Sequence, residues 1–276
     1  MDRQQFPLVS VRIPVYNHEL YIQQCLDSIY IDSYINKEIV IIDDGSTDSS
    51  KNIIEEWIQN HKDNIKVTFV ARKNLGVTKT LNELNSLCSG EYIVGIASDD
   101  YLLKDSISKR IEYMQKYCCD VLFADCIVVN ECNQVVYESA LKDMYKVDVK
   151  KYVNQSSLQH EIINNWSIPG GTLIVHKSVY DMYKYDEKSI VEDYDFFLFV
   201  VSKKKLCYLD IKVAAYRIHG LNSHKLSSYF RRQFSILRAL MRNFSNFSFR
   251  LQIDILRKIV WLSNKMIKNF IMRRKL

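Results

Sequence analysis

The chain has 276 residues, of which 47% are hydrophobic and 25% are charged, with seven glycines and three prolines. This composition is typical of one globular domain, or of one domain with an appendage, and it excludes disordered, collagen-like and low-complexity chains. The net charge of +6 is uneven, because residues 225–276 hold 13 Lys+Arg and one acid, whereas residues 1–224 hold 25 Lys+Arg and 31 acids. The sequence therefore predicts an acidic body with a strongly basic tail.

Residues 8–126 alternate strand and helix patterns. The strand patterns are apolar on both faces and rich in β-branched residues, which is typical of parallel strands covered by helices; they are Val9–Ile13, Glu38–Ile42, Lys66–Ala71, Tyr92–Ala97 and Val121–Ala124. The helix patterns between them are Glu19–Tyr30, Asp48–Asn60, Val77–Cys88 and Lys104–Tyr117. This repeat predicts a doubly wound sheet whose ligands bind outside the carboxyl ends of the strands.

The pattern becomes irregular between residues 127 and 190, where a hairpin is predicted near Asn130–Gln134. A helix is then predicted over Ile190–Lys203, and strands over Leu206–Leu209 and Val213–Ile218.

The basic tail has apolar residues that recur among its bases, and these predict two amphipathic helices split near Asn243–Ser248. Basic amphipathic helices fit the anionic inner leaflet of a membrane. The alternative is that the same apolar face packs on the rest of the chain or on a second copy, as in a homodimer. No recognisable nucleic-acid-binding module is present, so we expect no nucleic acid partner.

The cysteines and the apolar runs bear on the cell compartment. Seven scattered cysteines without a C-x-x-C pair predict reduced thiols in a cytoplasmic protein. Arg12 interrupts the first apolar stretch, which does not fit a signal peptide. The longest aliphatic–aromatic run, Phe196–Val201, is too short to span a bilayer.

Acidic side chains follow two of the predicted strands. Asp43 and Asp44 end the second strand, and Asp99 and Asp100 follow the fourth. Carboxylates at the tip of a buried strand need a cationic partner, and a hard ion such as Mg²⁺ or Mn²⁺ prefers oxygen ligands and commonly binds together with a substrate phosphate. The two strand ends therefore predict a crevice for a nucleotide and a metal ion.

Six motifs resemble those of family 2-type inverting glycosyltransferases, which have the GT-A nucleotide-sugar fold. In the family's order they are Ser10–Asn17, Ile42–Asp48, Lys73–Gly76, Gly90–Ile93, Ser98–Asp100 and Glu192–Asp193, and Tyr216–His219 with Asn222 and Ser223 resembles the closing motif. The resemblance covers about residues 7–225 and implies a mostly parallel α/β sheet flanked by helices.

The resemblance implies a donor site at the first strand ends. Pro14, Tyr16 and Asn17 would cradle the nucleotide base, and Asp44 would accept a hydrogen bond from a uracil or thymine N–H. The alternative for Asp44 is a turn before Gly45. Lys79 would contact the base or a phosphate, with a solvated surface lysine as the alternative.

For the metal ion, the resemblance implies Asp100 as a ligand and Asp99 as a partner of the ribose or of a metal-bound water. Ala97 departs from the family pattern, because many relatives have a third acid there. His219 would complete the metal shell or donate to the β-phosphate, assisted by Arg217. The alternatives are acids that open a helix and a structural histidine.

For the reaction, the resemblance implies Asp193 as the base that removes the proton of the acceptor hydroxyl. Glu192 would hold an acceptor hydroxyl, and Trp166 with Gly170 would form part of the acceptor platform. The alternatives are first-turn acids that stabilise a helix dipole, and core packing for Trp166.

The expected protein is an inverting, metal-dependent enzyme that uses a UDP-sugar. Residues 1–225 would form its catalytic domain, with about 7–126 binding the nucleotide and 127–225 the acceptor, and residues 226–276 would form the tail. The expected acceptor is an O-antigen or capsule repeat unit on a polyprenyl diphosphate lipid, at the cytoplasmic face of the membrane. A dTDP-sugar (rhamnosyl) transferase and a non-catalytic glycan-assembly protein are the alternatives.

Overall fold

The computed structural model describes residues 6–220 and 229–273. The strands in these ranges are β1 (Val9–Val15), β2 (Lys37–Asp43), β3 (Lys66–Ala71), β4 (Tyr92–Gly95), β5 (Tyr101–Leu102), β6 (Val121–Val129), β7 (Val135–Tyr137), β8 (Ile174–His176) and β9 (Leu206–Arg217). The helices are α1 (Ile22–Ile31), α2 (Ser50–His61), α3 (Val77–Leu87), α4 (Ser106–Tyr117), α5 (Gln155–Asn165), α6 (Ser178–Met182), α7 (Glu192–Lys203), α8 (Tyr229–Asn243) and α9 (Phe249–Arg273). Asn222, Ser223 and the expected boundary at residue 225 lie outside the described residues.

The strands form one mixed sheet in the order β3-β2-β1-β4-β8-β6-β9-β5, with β7 paired to β6. The strands β1, β2, β3 and β4 are parallel, whereas β8 runs antiparallel to both of its neighbours. The chain leaves β1 toward β2 and β3 and later returns to the other side of β1 as β4, so a topological switch point lies between β1 and β4. Ligands of open α/β sheets bind at such a point. The expected helix-flanked α/β sheet with a C-terminal helical extension is confirmed.

The observed strands differ from the predicted ones at the fourth strand and at the last two. The fourth strand ends at Gly95 instead of Ala97, so the following acids lie in a turn that is closed by a hydrogen bond from Asp100 N to Ala97 O (3.1 Å). The last two predicted strands are one strand, β9, whose register against β6 shifts near Asp125. The polar residues Asp210 and Lys212 suggested a break there, but a strand with one exposed face accommodates them.

One cysteine pair contradicts the expectation that all seven thiols are reduced. Cys119, which follows α4, and Cys207 of β9 form a disulfide. The remaining cysteines are free thiols. The pairing joins residues 88 apart in the sequence, and nothing in the spacing of the cysteines indicates it.

The tail forms the two predicted helices, which pack on the chain itself. Ala239, Leu240 and Ile255 are buried in the same hydrophobic cluster as side chains of α5 and α7. Buried Asp195 of α7 accepts hydrogen bonds from Arg242 (3.0 Å) and Asn243 (2.8 Å) of α8. One face of the tail is therefore part of the core.

A further face of the tail, which includes Phe249 and Val260, stays exposed. Among the helices of the described ranges, none combines the length and the apolar character that a bilayer crossing needs.

Candidate active site

The acidic strand ends meet in one pocket of about 490 Å³ at the carboxyl ends of β1 and β4. Asp44 and Asp100 both line it, together with the predicted donor-site residues Pro14, Tyr16, Asn17 and Asp99. The convergence follows from the topology, because parallel strands on the two sides of a switch point end at the same edge of the sheet.

Asn17 joins the turn after β1 to the turn after β2. Its backbone adopts φ = 55°, a left-handed conformation that asparagine tolerates better than most residues. Its Oδ1 accepts a hydrogen bond from Thr47 N (2.8 Å), and its backbone N donates to Ser46 Oγ (2.9 Å). Tyr16 beside it remains 48% exposed at the pocket rim. The pair of turns thus forms a fixed wall with one aromatic side chain accessible to a ligand.

Asp44 is held by donors from the segment after β3. Its Oδ1 accepts from Leu75 N (2.8 Å) and its Oδ2 from Gly76 N (2.9 Å), and Arg72 Nη1 forms an ion pair with Oδ1. A carboxylate offers about four lone-pair sites, so Asp44 retains capacity for a ligand N–H. Arg72 was not expected from the sequence. Its position directly after β3, which is parallel to β2 and ends at the same sheet edge as Asp44, could have indicated it.

Asp99 lies between two histidines. Its Oδ2 is 2.8 Å from His219 Nε2 and 3.9 Å from His18 Nε2, and one ligand atom from each of the three residues lies within 4.8 Å of the others. His18 Nδ1 is also 2.7 Å from Ser98 Oγ, which fixes its ring, and burial lowers the His18 pKa. The neutral imidazole is the form that binds metal ions.

The two adjacent acids have different partners in the structure, and the expected division of roles between them stays a prediction. His219 contacts Asp99, whereas Asp100 faces β9, where its Oδ1 accepts from Arg217 N (2.8 Å). A Cβ at Gly171 would lie 3.3 Å from Asp100 Oδ2, so the glycine turn lies directly against this carboxyl group. His18 is the residue that sequence reasoning missed, although it directly follows the first motif.

The donor set fits a divalent metal ion. Imidazole nitrogens suit transition metals and carboxylates suit Mn²⁺ and Mg²⁺. Two histidines with one carboxylate therefore fit Mn²⁺ better than Mg²⁺, which prefers oxygen ligands.

Arg217 and Lys79 are not among the residues that line the donor pocket. The guanidinium of Arg217 is buried and donates to Asp99 O, Asn130 O and Gln24 Oε1 at 2.8–3.1 Å. This arrangement favours a supporting role, in which Arg217 fixes the turn that carries the acids. Lys79 lines a different surface pocket and lies 3.8 Å from Glu187, because the helix directs Val77 and Thr80 into the donor pocket instead.

A second pocket of about 770 Å³ adjoins the first and shares Val77, Glu192 and Tyr216 with it. It contains the residues that were expected to act on the acceptor: Asp193, Glu192, Trp166 and Gly170. The Trp166 ring lies 5.5 Å from the ring of Tyr194, centre to centre, so it both packs and lines the cavity. The two pockets form one continuous cleft.

The surroundings of Asp193 in the second pocket favour the protonated form of its carboxyl group. Burial and the nearby Glu192 raise its pKa to about 8. Its Oδ1 accepts a hydrogen bond from Tyr194 N (2.9 Å), which orients the carboxyl group. A base whose pKa is near the working pH takes up a proton readily.

Comparisons with known proteins agree with this arrangement. GlyA, a glycosyltransferase of Streptococcus pneumoniae serotype 4, is 27% identical over 219 residues, which make up 76% of this chain and 30% of that protein. The chain thus matches less than a third of the length of that relative.

Solved structures share the fold. TarS 1–349 of S. aureus in complex with UDP-GlcNAc matches with a TM-score of 0.69 at 18% identity, covering 91% of this chain and 71% of that chain. Mannosyltransferase PcManGT from Pyrobaculum calidifontis, in complex with GDP-Man and Mn²⁺, matches with a TM-score of 0.67 at 16% identity, covering 94% and 69%. The model of the family named Glycosyl transferase family 2 matches residues 10–181, which is more than half of the chain. The chain therefore belongs to glycosyltransferase family 2 and has the GT-A fold.

Proposed function

We propose that this enzyme transfers a hexose or N-acetylhexosamine from a UDP-sugar to a bacterial surface-glycan acceptor, with inversion at the anomeric carbon. The observation that carries the proposal is the continuous cleft, with Asp44 and the Asp99 cluster in its first pocket and Asp193 in its second. Such a cleft holds the nucleotide, the diphosphate and the acceptor side by side. The UDP-GlcNAc complex of TarS supports a UDP-sugar as the donor.

In the proposed reaction the acceptor hydroxyl attacks the anomeric carbon while the bond from that carbon to the diphosphate oxygen breaks. The electron pair of the breaking bond leaves with the diphosphate, and the hydroxyl proton moves to Asp193. Holding both substrates in one cleft supplies much of the rate by proximity. A Mn²⁺ or Mg²⁺ ion held by Asp99, His219 and His18 would neutralise the charge on the leaving diphosphate.

A dTDP-sugar is the alternative donor, because thymine and uracil present the same N–H to Asp44. The second candidate, a non-catalytic glycan-assembly protein, is motivated by Ala97 at the position of the third acid. The cluster of His18 and His219 with Asp99 argues against it, because the two histidines supply ligand atoms that do not depend on a third acid.

The test is a panel of UDP-, dTDP- and GDP-sugars, assayed for hydrolysis and transfer with Mn²⁺ or Mg²⁺, for the wild-type protein and Asp193→Asn. We expect turnover of one UDP-sugar with Mn²⁺ and a loss of at least about 100-fold in kcat for the variant. The wild-type kcat/KM should decrease below about pH 8, because Asp193 then carries a proton. A wild-type protein without turnover of any donor would contradict the proposal.

The proposed cellular site is the cytoplasmic face of the inner membrane, with α9 lying on the lipid surface. Phe249, Leu256, Val260 and Ile267 are between 50% and 79% exposed and follow each other at helical spacing on one stripe of α9. Arg257 and other bases flank this stripe, which fits an anionic leaflet.

Point variants are the appropriate membrane test, because deletion of the tail would remove core residues such as Leu240. Leu256→Ser/Val260→Ser should release the protein from anionic vesicles in a flotation assay. The control is Val135→Ser/Val136→Ser, which changes two exposed valines of β7, outside the tail. A change from dimer to monomer in sedimentation, with vesicle binding unchanged, would instead assign the stripe to a homodimer.

A further inference from the structure

A third cavity, which we call the tail groove, lies between α5, α8 and α9 and has a volume of about 740 Å³. It shares Tyr145, Trp166, Ser167 and Arg232 with the pocket of Asp193. The groove therefore opens directly into the acceptor half of the cleft. One side of it is built by the basic tail, to which the family motifs assign no role.

The tail groove is electropositive. Five of its lining residues are bases (Lys146, Lys151, Arg232, Lys258 and Lys265) and two are acids (Asp148 and Glu161). Glu161 is engaged by Lys151 at 2.9 Å. Lys258 is half-buried near Lys265, and burial together with that second charge lowers the Lys258 pKa. Like charges held together in a groove attract an anion.

Two polar donors in the tail groove lack a protein partner. Trp166 Nε1 and Tyr229 Oη are buried, and neither makes a hydrogen bond within the part of the chain that the structure describes. Both residues line the groove. Because an unsatisfied buried donor is costly, each of these groups calls for a partner from outside the chain, such as a water molecule or a ligand.

Arg232 lies at the junction of the groove and the acceptor pocket. It lines both cavities, and its positive charge partly opposes the rise in pKa that burial causes in Asp193 and Tyr145. No acid forms an ion pair with it among the described residues, in contrast to Arg242 on the same helix, which pairs with Asp195. A cation between Asp193 and the tail groove suits an acceptor whose sugar enters the pocket of Asp193 and whose anionic group enters the tail groove.

We propose that the tail groove binds the diphosphate of a lipid-linked acceptor, with Arg232, Lys265 and Tyr229 as its ligands. This inference rests on the proposed glycosyl transfer and names the acceptor class for the same site. The excess of three positive charges in the groove matches a diphosphate diester better than a single carboxylate. Trp261 lines the groove and is 54% exposed, so the lipid chain would leave the groove beside the exposed stripe of α9.

The first experiment measures binding by calorimetry, with full-length protein and inorganic pyrophosphate in EDTA, so that metal-assisted binding in the donor pocket is removed. We expect wild-type affinity to drop at least tenfold in Lys265→Gln and at least threefold in Tyr229→Phe. Because Tyr229 Oη has no partner among the described residues, Tyr229→Phe should leave the thermal midpoint unchanged or raise it, whereas the loss of a structural hydrogen bond would lower it. Lys116→Gln is the matched control, because Lys116 lies over the Tyr117 ring (5.2 Å) as Lys265 lies over Trp261 (4.8 Å).

The second experiment compares acceptors in the transfer reaction. For wild type, a short-chain prenyl diphosphate sugar should have a KM at least tenfold below the KM of the same sugar as an alkyl glycoside. Lys265→Gln should make the two acceptor KM values equal while the KM for the donor stays constant. Binding of anionic vesicles but not of pyrophosphate would assign the groove to bilayer headgroups and overturn the proposal, as would equal pyrophosphate affinity in all variants. Absence of metal-stimulated donor hydrolysis in wild type contradicts the proposed function alone, since pyrophosphate binding in EDTA is independent of it.

Discussion

Replacing Asp193 with asparagine should stabilise the protein at high pH while it removes activity. Burial and Glu192 raise the pKa of the Asp193 carboxyl from 3.8 to about 8 in the folded chain. As the pH increases between these values, the unfolded chain releases this proton first, so the free energy of unfolding of the wild type decreases. At about 1.36 kcal/mol per pKa unit, the full shift sets an upper limit of about 6 kcal/mol.

We expect a measured gain of about 2–3 kcal/mol for Asp193→Asn at about pH 9, because Glu192 shares the buried site and the two groups titrate together. Asparagine has the shape of the protonated acid, so the difference from wild type should become small near pH 4. The assay is urea unfolding at about pH 5, 7 and 9, with the free energy of unfolding extrapolated to water.

Asp210→Asn is the control for this experiment. A hydrogen bond from Lys142 lowers the pKa of Asp210, which is mostly exposed. Its carboxylate therefore contributes stability that is present above its unfolded pKa and is lost as the pH decreases, so this variant should be slightly less stable at neutral pH. If Asp193→Asn were no more stable than wild type at about pH 9, the argument that burial raises the pKa of the Asp193 carboxyl group would be refuted.

Three further substitutions test the geometry around the cleft. Gly45→Ala should lower the free energy of unfolding by about 2–4 kcal/mol in urea unfolding, because the Gly45 backbone has φ = 79° and a Cβ there would lie 2.7 Å from Asn74 N. Gly170→Ala is the control, because a Cβ at Gly170 meets nothing within 4 Å and the free energy of unfolding should stay unchanged. His18→Ala should weaken Mn²⁺ binding about tenfold or more in calorimetry without a comparable change in the thermal midpoint; unchanged Mn²⁺ affinity would remove His18 from the proposed ligands. Arg217→Gln should lower the free energy of unfolding by about 3–5 kcal/mol, because it leaves several buried acceptors unpaired, and a variant as stable as wild type would argue against its supporting role.

Much of the fold could be predicted because its signals are local. The strands β1 and β2 are apolar on both faces and β3 lies beside β2, and the helices α1 and α2 that connect them have recognisable patterns of their own. The disulfide of Cys119 with Cys207 could not be predicted, because it depends on the pairing of β6 with β9 across 88 residues. The position of β8 between β4 and β6 is equally non-local, and its three residues carry no distinctive pattern.

The sequence motifs predict which strand ends meet at the site. They do not predict the direction in which each side chain points. Asp44 and Asp99 follow strands whose ends share one sheet edge, so their convergence needs only the topology. Which of two adjacent acids faces the histidines depends on the turn that begins after Gly95, and sequence alone does not define that turn. Lys79 is one residue from Thr80, yet the 100° step between successive helix positions places it on a different surface.

The two helices of the tail were predicted from the sequence, but the pattern did not show whether they contact lipid or protein. A single amphipathic stripe was expected to meet either lipid or protein, but α9 has two apolar surfaces: Ile255 and Leu262 pack inward, whereas Val260 and Ile267 face outward. Both surfaces contribute to the same hydrophobic periodicity, so the pattern alone does not separate them. Because the inner surface fixes α9 beside the acceptor pocket, any lipid contact made by the outer surface would hold the mouth of the cleft at the membrane, where a lipid-linked acceptor is confined. Membrane binding and acceptor recognition are then coupled through one helix, and variants of the outer stripe should raise the KM for a vesicle-embedded acceptor but not for a water-soluble one.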